Sequence, residues 1–319
     1  MFPRTILSRA NLFERLAIFG ERDVYWAIFR VYLCLHLINQ IVSYYFLRDL
    51  LFTPKALTAV SALPWVAFCQ EYFVPFLSVY FLLVVALAFG IGRNLAAIGV
   101  CVGEKIVQSM NGYILNGGDN FLSFLLLYLC FANSFEFFVL QKPKAKSWLR
   151  SPLIKLTTSM ATFSVLCHVC LIYFISGVSK VHADVWFHGT ALYYILNITR
   201  FNSGVIPAAV LHNGYIITLA TYSIVLWELY FPVLVWLRRT RLPMLLFGVL
   251  MHLGIAVVMM LYDFEILFIA TYGFFFRDRD FRWLGRWIDL SPVTTQEHSV
   301  RVVAHEPEET PAVSRLGAC

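Results

Sequence analysis

The strongest constraint on how this chain can fold is a series of long apolar runs, because an apolar helix of about 20 residues spans a bilayer. Eight segments meet or approach that length: 24–46, 73–91, 95–113, 121–140, 158–178, 211–237, 243–261 and 264–276. Charged residues are only 14% of the chain, whereas they are about a quarter of a typical soluble domain. We therefore predict an all-α protein, a polytopic transmembrane helical bundle of about eight spans.

The basic residues of the loops predict the orientation of this bundle. Residues 141–157 carry five basic side chains and no acidic one, and further arginines follow the second, sixth and eighth segments. If all eight segments cross the membrane, these basic loops fall on one side, which the positive-inside rule assigns to the cytoplasm. Both termini are then predicted to be cytoplasmic.

Three regions follow from this topology. Residues 1–22 are predicted to form a cytoplasmic amphipathic segment, because they mix arginines with spaced apolar side chains and lack the apolar core of a secretory signal. Residues 23–290 form the predicted transmembrane domain, and residues 291–319 a polar, disordered cytoplasmic tail. No basic patch indicates a nucleic-acid partner, so the lipid bilayer is the first predicted partner.

Ionisable side chains inside a membrane domain are costly, so each is a candidate for function. In the third segment, Glu104, Gln108 and Asn111 share one helical face. That face either forms a polar seam between helices or lines a hydrated cavity. The turn Asn116-Gly117-Gly118-Asp119-Asn120 follows. Either Asp119 or Asn120 caps the next helix, or Asp119 lies at the rim of an outward-facing site.

The richest polar segment is the outward end of the fifth span, which contains Lys180, His182, Asp184 and Trp186. Asp184 is four residues after Lys180 and could pair with it on a helix. A lysine amine that is desolvated in a pocket can act as a base or nucleophile. A lysine that extends to the headgroups beside an aspartate has the same pattern. Lys180, His182 and Asp184 are the candidate catalytic residues.

Two later spans add polar residues that could support this site. Glu228 in the sixth span needs a partner if it is buried, and His252 in the seventh span is one candidate. We predict a pocket with apolar walls that opens to the non-cytoplasmic side. Its predicted lining residues are Asn116, Asp119, Trp186, Tyr193, Glu228 and His252.

The fifth span also contains Cys167-His168-Val169-Cys170, a spacing that can bind metal or perform redox chemistry. This motif lies inside a long apolar helix and has no second pair of ligands nearby in the sequence. We therefore expect cysteines that pack in the core, a hydrogen-bonded His168 and no metal.

Several of these motifs, in their order and spacing, resemble those of the HTTM family of membrane proteins. Members of this family are similar to vitamin K-dependent γ-glutamyl carboxylase, and they include SdpB-type proteins of bacterial antimicrobial-peptide systems. The resemblance covers about residues 23–286 and rests on Asn116-Gly-Gly-Asp119, Lys180-Val-His-Ala-Asp184-Val-Trp186, Gly189-Thr-Ala-Leu-Tyr-Tyr194, Glu228-Leu-Tyr-Phe-Pro232 and His252-Leu-Gly-Ile255.

The resemblance implies a role for Lys180. In the carboxylase, a lysine within a Tyr-Phe-x-x-Gly-Val-x-Lys segment deprotonates reduced vitamin K, and residues Tyr173 to Lys180 match that segment. The resemblance also implies a reduced quinone, similar to vitamin K or menaquinone, and a secreted peptide or protein substrate. Gly118-Asp119 stands where the carboxylase has an Asn-His pair.

Two functions are consistent with these patterns. One is an enzyme similar to the carboxylase, in which Lys180 is the base and His182 and Asp184 tune it. The other is a non-catalytic, SdpB-like accessory protein for the maturation, export or tolerance of a secreted antimicrobial peptide, acting with the partner proteins of that system. A transporter is less favoured, because the sequence has no inverted repeat. We predict a location in the bacterial cytoplasmic membrane.

Overall fold

A computed structural model of the chain describes residues 19, 22–52, 64–111, 115–140, 150–199, 203–278 and 280, and all regular structure within these ranges is helical. This confirms the all-α prediction for the described residues. In the first half of the chain the helices are α1 (Asp23–Phe46), α2 (Arg48–Leu51), α3 (Pro64–Glu71), α4 (Phe73–Ala88), α5 (Arg93–Met110) and α6 (Gly117–Phe131). In the second half they are α7 (Arg150–Val181), α8 (Asp184–Phe187), α9 (Ala191–Leu196), α10 (Ala208–Leu211), α11 (Gly214–Leu234), α12 (Arg241–Met259) and α13 (Tyr262–Thr271), which continues into a 3-10 turn, Tyr272–Phe275.

Four of the described helices are long and apolar enough to cross a membrane, namely α1, Pro152–Val181 of α7, α11 and α12. Helices α4 and α6 are also apolar but shorter. Among the other predicted spans, α5 carries Arg93, Glu104 and Lys105, and α13 has 10 residues. The described part of the chain thus has the helical elements of an integral membrane protein.

Two predicted spans differ by the most residues from the observed helices at their ends. The predicted span 121–140 is helical only to Phe131, because residues 132–140 are irregular. The predicted span 158–178 lies inside α7, which has 32 residues and is therefore about 48 Å long. This length exceeds the hydrocarbon core of about 30 Å, so α7 is longer than a single crossing of the core requires.

A buried arginine of α1 binds the irregular segment 132–140. Arg30 is 0% exposed, and its guanidinium donates to the backbone carbonyl oxygens of Ser134, Phe137 and Phe138, the last at 2.6 Å. Backbone carbonyls inside a membrane domain require donors, which helices normally provide from their own amides. Arg30 supplies such donors where the chain is not helical.

The other end of α1 contacts the beginnings of two helices. Gln40 Nε2 donates to Asp119 Oδ1 of α6 at 3.4 Å, and Asn39 Nδ2 donates to Asp263 Oδ1 of α13 at 3.4 Å. Both aspartates lie in the first turn of their helices. The carboxyl-terminal half of α1 and the amino-terminal ends of α6 and α13 therefore meet in one region.

The polar face of α5 forms a seam with α4 and α6. Glu104 accepts hydrogen bonds from Tyr80 Oη and from Gln108 Nε2, both at 2.9 Å, and Ser123 Oγ donates to Gln108 Oε1 at 2.8 Å. A Cβ on Gly103 would lie 2.5 Å from Tyr80 Cδ2, so this glycine permits the close approach of α4. The interpretation of this face as a seam between helices is confirmed.

Some predictions concern residues outside the described ranges. They are the amphipathic segment 1–22 apart from residues 19 and 22, the basic residues of 141–149, and the polar tail 291–319. Their proposed structures stay predictions, as does the division of the chain into three regions.

Candidate functional site

The carboxyl-terminal part of α7 places Lys180 beside a glutamate of α11. Lys180 Nζ lies 2.7 Å from both carboxylate oxygens of Glu228 and 2.5 Å from Ser176 Oγ, one helical turn earlier. The side chain of Lys180 is 19% exposed and that of Glu228 is 8% exposed. The two residues form a largely buried, charge-assisted contact, and a small part of the lysine surface remains accessible.

A short helix beyond α7 contributes an aromatic ring to the same amine. The chain turns after Val181, and α8 then carries Trp186, whose ring centroid lies 5.0 Å from Lys180 Nζ. A cation over an indole face is stabilised by about 0.5–2 kcal/mol. Three of the predicted site residues, Lys180, Glu228 and Trp186, therefore share one group of contacts.

The other two candidate catalytic residues point elsewhere. The predicted pairing of Lys180 with Asp184 is wrong, because α7 ends one residue after Lys180 and Ala183 has an extended backbone with φ −100° and ψ 122°. Asp184 is exposed instead. His182 is also exposed, and its Nδ1 lies 2.8 Å from the carbonyl oxygen of Val178.

A glycine allows α7 and α11 to approach closely enough for the ion pair. A Cβ on Gly177 would lie 3.0 Å from Leu229 Cγ and 3.1 Å from the backbone nitrogen of Leu229. Leu229 is the neighbour of Glu228, and a backbone atom in a packed helix cannot rotate away as a side chain can. The distance between the two helices therefore depends on the lack of a side chain at Gly177.

We expect Gly177→Val to destabilise the protein by about 1–3 kcal/mol, because the added methyl groups overpack the contact between the helices. The apparent melting temperature of the purified protein in nanodiscs measures this loss. Gly254→Val in α12 is a matched control, since no atom apart from its chain neighbours and the backbone of its own helix lies within 4 Å of a Cβ built on Gly254. An equal loss in both variants would contradict a specific role for Gly177.

A second polar cluster is buried between α7, α12 and the segment formed by α13 and its 3-10 turn. Tyr173 Oη lies 2.6 Å from both His252 Nε2 and Tyr272 Oη, and His252 Nδ1 pairs with the carboxylate of Glu265. All four side chains are buried. When the imidazole is neutral and the carboxylate accepts its Nδ1 proton, Nε2 accepts from Tyr173, and Tyr173 in turn accepts from Tyr272. The four side chains then form one continuous chain of hydrogen bonds.

His252 is therefore not the partner of Glu228, and that predicted pairing is wrong. Lys180 binds Glu228, and Glu265 binds His252. No role was predicted for Glu265, and Tyr173 was predicted only as the first residue of the segment that matches the carboxylase. The sequence does contain a pattern that indicates Tyr173 as a site residue. It lies seven residues before Lys180 and therefore shares its helical face.

Asn116 and Asp119 form a cap at the beginning of α6. Asn116 Oδ1 accepts from two backbone amides of the first turn, at 2.6 Å and 3.3 Å, and Asp119 Oδ2 accepts from the Asn116 amide at 2.7 Å. This reciprocal arrangement is a capping box in which Asn116 is the N-cap and Asp119 takes part from the third helical position, so the helix begins earlier than predicted. Asp119 also lines a cavity of about 210 Å³, which Lys180 does not line.

Tyr193 and His168, which the sequence also singled out, contact neighbouring aromatic side chains. Tyr193 of α9 packs against the rings of Tyr194 and His212. His168 Nδ1 lies 3.1 Å from Tyr128 Oη, which confirms the expected hydrogen bond of His168. Within the described residues, no group of three or more His, Cys, Asp or Glu side chains is placed to hold a metal ion.

Comparison of the chain with protein-family models, curated proteins and solved structures finds no significant match. The likeness to HTTM proteins therefore rests on the sequence motifs alone and stays a prediction. The fold and the site define an integral membrane protein with a largely buried lysine–glutamate pair near one end of α7.

Proposed function

We propose that this protein is an enzyme of the bacterial cytoplasmic membrane in which Lys180 acts as a base toward a reduced quinone. The observation that carries the proposal is the setting of the amine. Lys180 binds both oxygens of Glu228 at 2.7 Å, yet its side chain is 19% exposed. An ion pair inside a membrane domain is costly, and an accessible amine is suited to proton exchange with a bound molecule.

We place this site on the non-cytoplasmic side of a bundle with eight crossings and both termini in the cytoplasm. The distribution of basic loops supports this orientation. The contacts between helix ends support an antiparallel order, because Asn94 at the beginning of α5 donates to the Cys130 carbonyl near the end of α6 at 2.8 Å. Gln40 near the end of α1 contacts Asp119 at the beginning of α6.

The proton balance of the ion pair assigns a role to Glu228. A protonated Lys180 cannot accept another proton, so it becomes a base only when one proton moves to Glu228 across the 2.7 Å contact. The neutral amine then accepts the proton of a substrate hydroxyl, and the pair as a whole stores one proton on the carboxyl group. Ser176 and Trp186 hold the amine in place during this exchange.

The surroundings of the amine suit an aromatic ring. Trp186 presents an indole face, and the adjacent side chains of Val185 and Phe187 are 43% and 64% exposed. Exposed apolar side chains therefore flank Trp186 along α8. When bound, a reduced quinone would supply a hydroxyl proton and reducing electrons. Carboxylation of a peptide glutamate is the further reaction that the resemblance to the carboxylase implies.

Lys180→Ala is expected to lower quinone-epoxide formation by at least about a hundredfold, the lower range for loss of a general base. The protein in nanodiscs would receive reduced vitamin K or menaquinone, oxygen, bicarbonate and glutamate-rich peptides, and mass spectrometry would quantify the epoxide. Lys105→Ala is the matched control, because Lys105 is exposed on α5 and bonds to Gln108 at 3.1 Å.

Melting curves of both lysine variants show whether a decrease in epoxide formation is caused by the missing amine or by unfolding of the protein. A folded Lys180→Ala protein that still forms the epoxide at the parent rate would contradict the role of Lys180. A parent protein that forms no epoxide with either quinol would contradict the choice of substrate.

A second function is favoured by the surface that follows α7. Val181, Phe187, Tyr194 and Ile198 are apolar and between 40% and 64% exposed. Exposed apolar surface suits contact with a secreted peptide or with partner proteins. In that case the protein is a non-catalytic accessory, and replacing Phe187 and Tyr194 with serine would abolish peptide tolerance while Lys180→Ala would not. Host survival at increasing peptide concentration distinguishes the two functions.

A further inference from the structure

A polar cavity lies where the carboxyl-terminal half of α1 meets the beginnings of α6 and α13. Its volume is about 210 Å³. The proposed enzymatic function does not use this cavity, because Lys180 is not part of its wall. The polar wall includes His36, Gln40, Asp119 and Asp263, and the apolar wall includes Tyr44 and Phe264.

The polar wall presents mostly hydrogen-bond acceptors with weak partners. Asp119 is only 6% exposed, and the contact of its Oδ1 with the Gln40 amide, at 3.4 Å, is long for a hydrogen bond. Asp263 Oδ1 has a similar contact with Asn39, also at 3.4 Å. Within the described residues, Gln40 Oε1 is buried and has no hydrogen-bond partner.

Besides Asp119 and Asp263, the titratable side chains among the described residues of this wall are His36 and Tyr44, and neither carries a permanent positive charge. Two carboxylates line the cavity, and no lysine or arginine of the described residues does. Like charges repel each other most strongly where water is excluded, which holds for Asp119, whereas Asp263 is exposed. The cavity is therefore complementary to a positively charged group.

Helix ends account for part of this arrangement. Asp119 closes the capping box of α6 through Oδ2, and Asp263 lies in the first turn of α13, where the helix dipole favours an acid by about 0.3–1 kcal/mol. Capping explains why each aspartate occupies its position. It does not explain why Asp119 and Asp263, which belong to two different helices, line one cavity with only 3.4 Å contacts at their Oδ1 atoms.

We propose that this cavity binds an organic cation, a primary ammonium group with a short apolar stem, whose N–H donors contact Asp119 and Asp263. A primary ammonium has three donors for the available acceptors. The rings of Tyr44 and Phe264 suit the stem, and aromatic faces also attract cations. A metal ion is a poorer match, because no three metal-ligating side chains of the described residues are close enough to hold one.

Calorimetric titration of the full chain in nanodiscs with 2-phenylethylamine tests this proposal, with 2-phenylethanol as the uncharged analogue. We expect saturable binding of the amine and at least about tenfold weaker binding of the alcohol. Asp263→Asn and Asp119→Asn should each weaken amine binding about tenfold. The side-chain oxygen that Asp119→Asn retains can still accept from the Asn116 amide, so the cap of α6 is kept.

Asp49→Asn is the matched control for general surface charge, because the Asp49 side chain is 88% exposed and is not part of the cavity wall. We expect it to leave amine binding within about twofold of the parent value. Equal affinity for amine and alcohol, no amine binding by the parent protein, or unchanged binding in Asp263→Asn would overturn the proposal.

A second titration identifies the kind of molecule that carries the ammonium group. Competition by Nα-acetyl-lysine methylamide would assign the group to a lysine side chain of a peptide. Binding of 2-phenylethylamine without such competition would assign it to a free amine, and both results support the cation site. The assay contains no quinol, so its outcome is independent of the proposed enzymatic reaction.

Discussion

Replacing Glu228 with alanine is expected to destabilise the folded protein by about 3 kcal/mol, the lower end of the range for breaking a buried ion pair. The variant leaves the Lys180 ammonium beside Ser176 without a carboxylate. The lower end applies because the Lys180 side chain is 19% exposed and regains some hydration. The free energy of unfolding of the purified protein in mixed micelles measures this loss.

A double replacement separates the stability of this pair from its chemistry. Lys180→Met combined with Glu228→Leu removes both charges and keeps a similar side-chain volume, and such replacements of buried ion pairs are often neutral or stabilising. We expect the double variant to unfold within about 1 kcal/mol of the parent protein and to form no quinone epoxide. A double variant as unstable as Glu228→Ala would show instead that the pair holds α7 and α11 together.

The helices of this fold are largely predictable from hydropathy. The predicted span 24–46 and the observed α1, Asp23–Phe46, differ by one residue, because a helix in lipid must satisfy its own backbone groups along its whole apolar length. The error at 121–140 has another origin. Residues 132–140 are largely apolar, but Arg30 binds their carbonyl oxygens from 104 residues away, and hydropathy carries no information about so distant a donor.

The candidate site is predictable in part. Lys180 stands out because a charge in an apolar segment is costly. Its partner is harder to predict, because Asp184 is the nearest acid at helical spacing, whereas Glu228 is 48 residues away. The end of α7 decides between the two acids, and helix ends are the least certain part of any prediction from sequence.

We expect Arg30→Met to lower the free energy of unfolding by about 3–5 kcal/mol, because several buried carbonyl groups lose their donor at once. The oxygens of Ser134, Phe137 and Phe138 all accept from this guanidinium. Phe138 also has φ of 53°, a left-handed conformation that is rare for a bulky residue and costs about 1–3 kcal/mol. The 2.6 Å bond to its carbonyl offsets part of that cost.

Arg30→Lys distinguishes the charge of this side chain from its geometry. Lysine keeps the positive charge but concentrates its donors in one compact group, whereas the planar guanidinium distributes them over several acceptors. We therefore expect Arg30→Lys to recover less than about half of the loss seen with methionine. Arg48→Met is the control, because Arg48 is 37% exposed, and it should change the stability by about 0.5 kcal/mol or less. If Arg30→Lys were as stable as the parent protein, a single cation would be enough to hold residues 132–140, and the several donors of arginine would not be what shapes this segment.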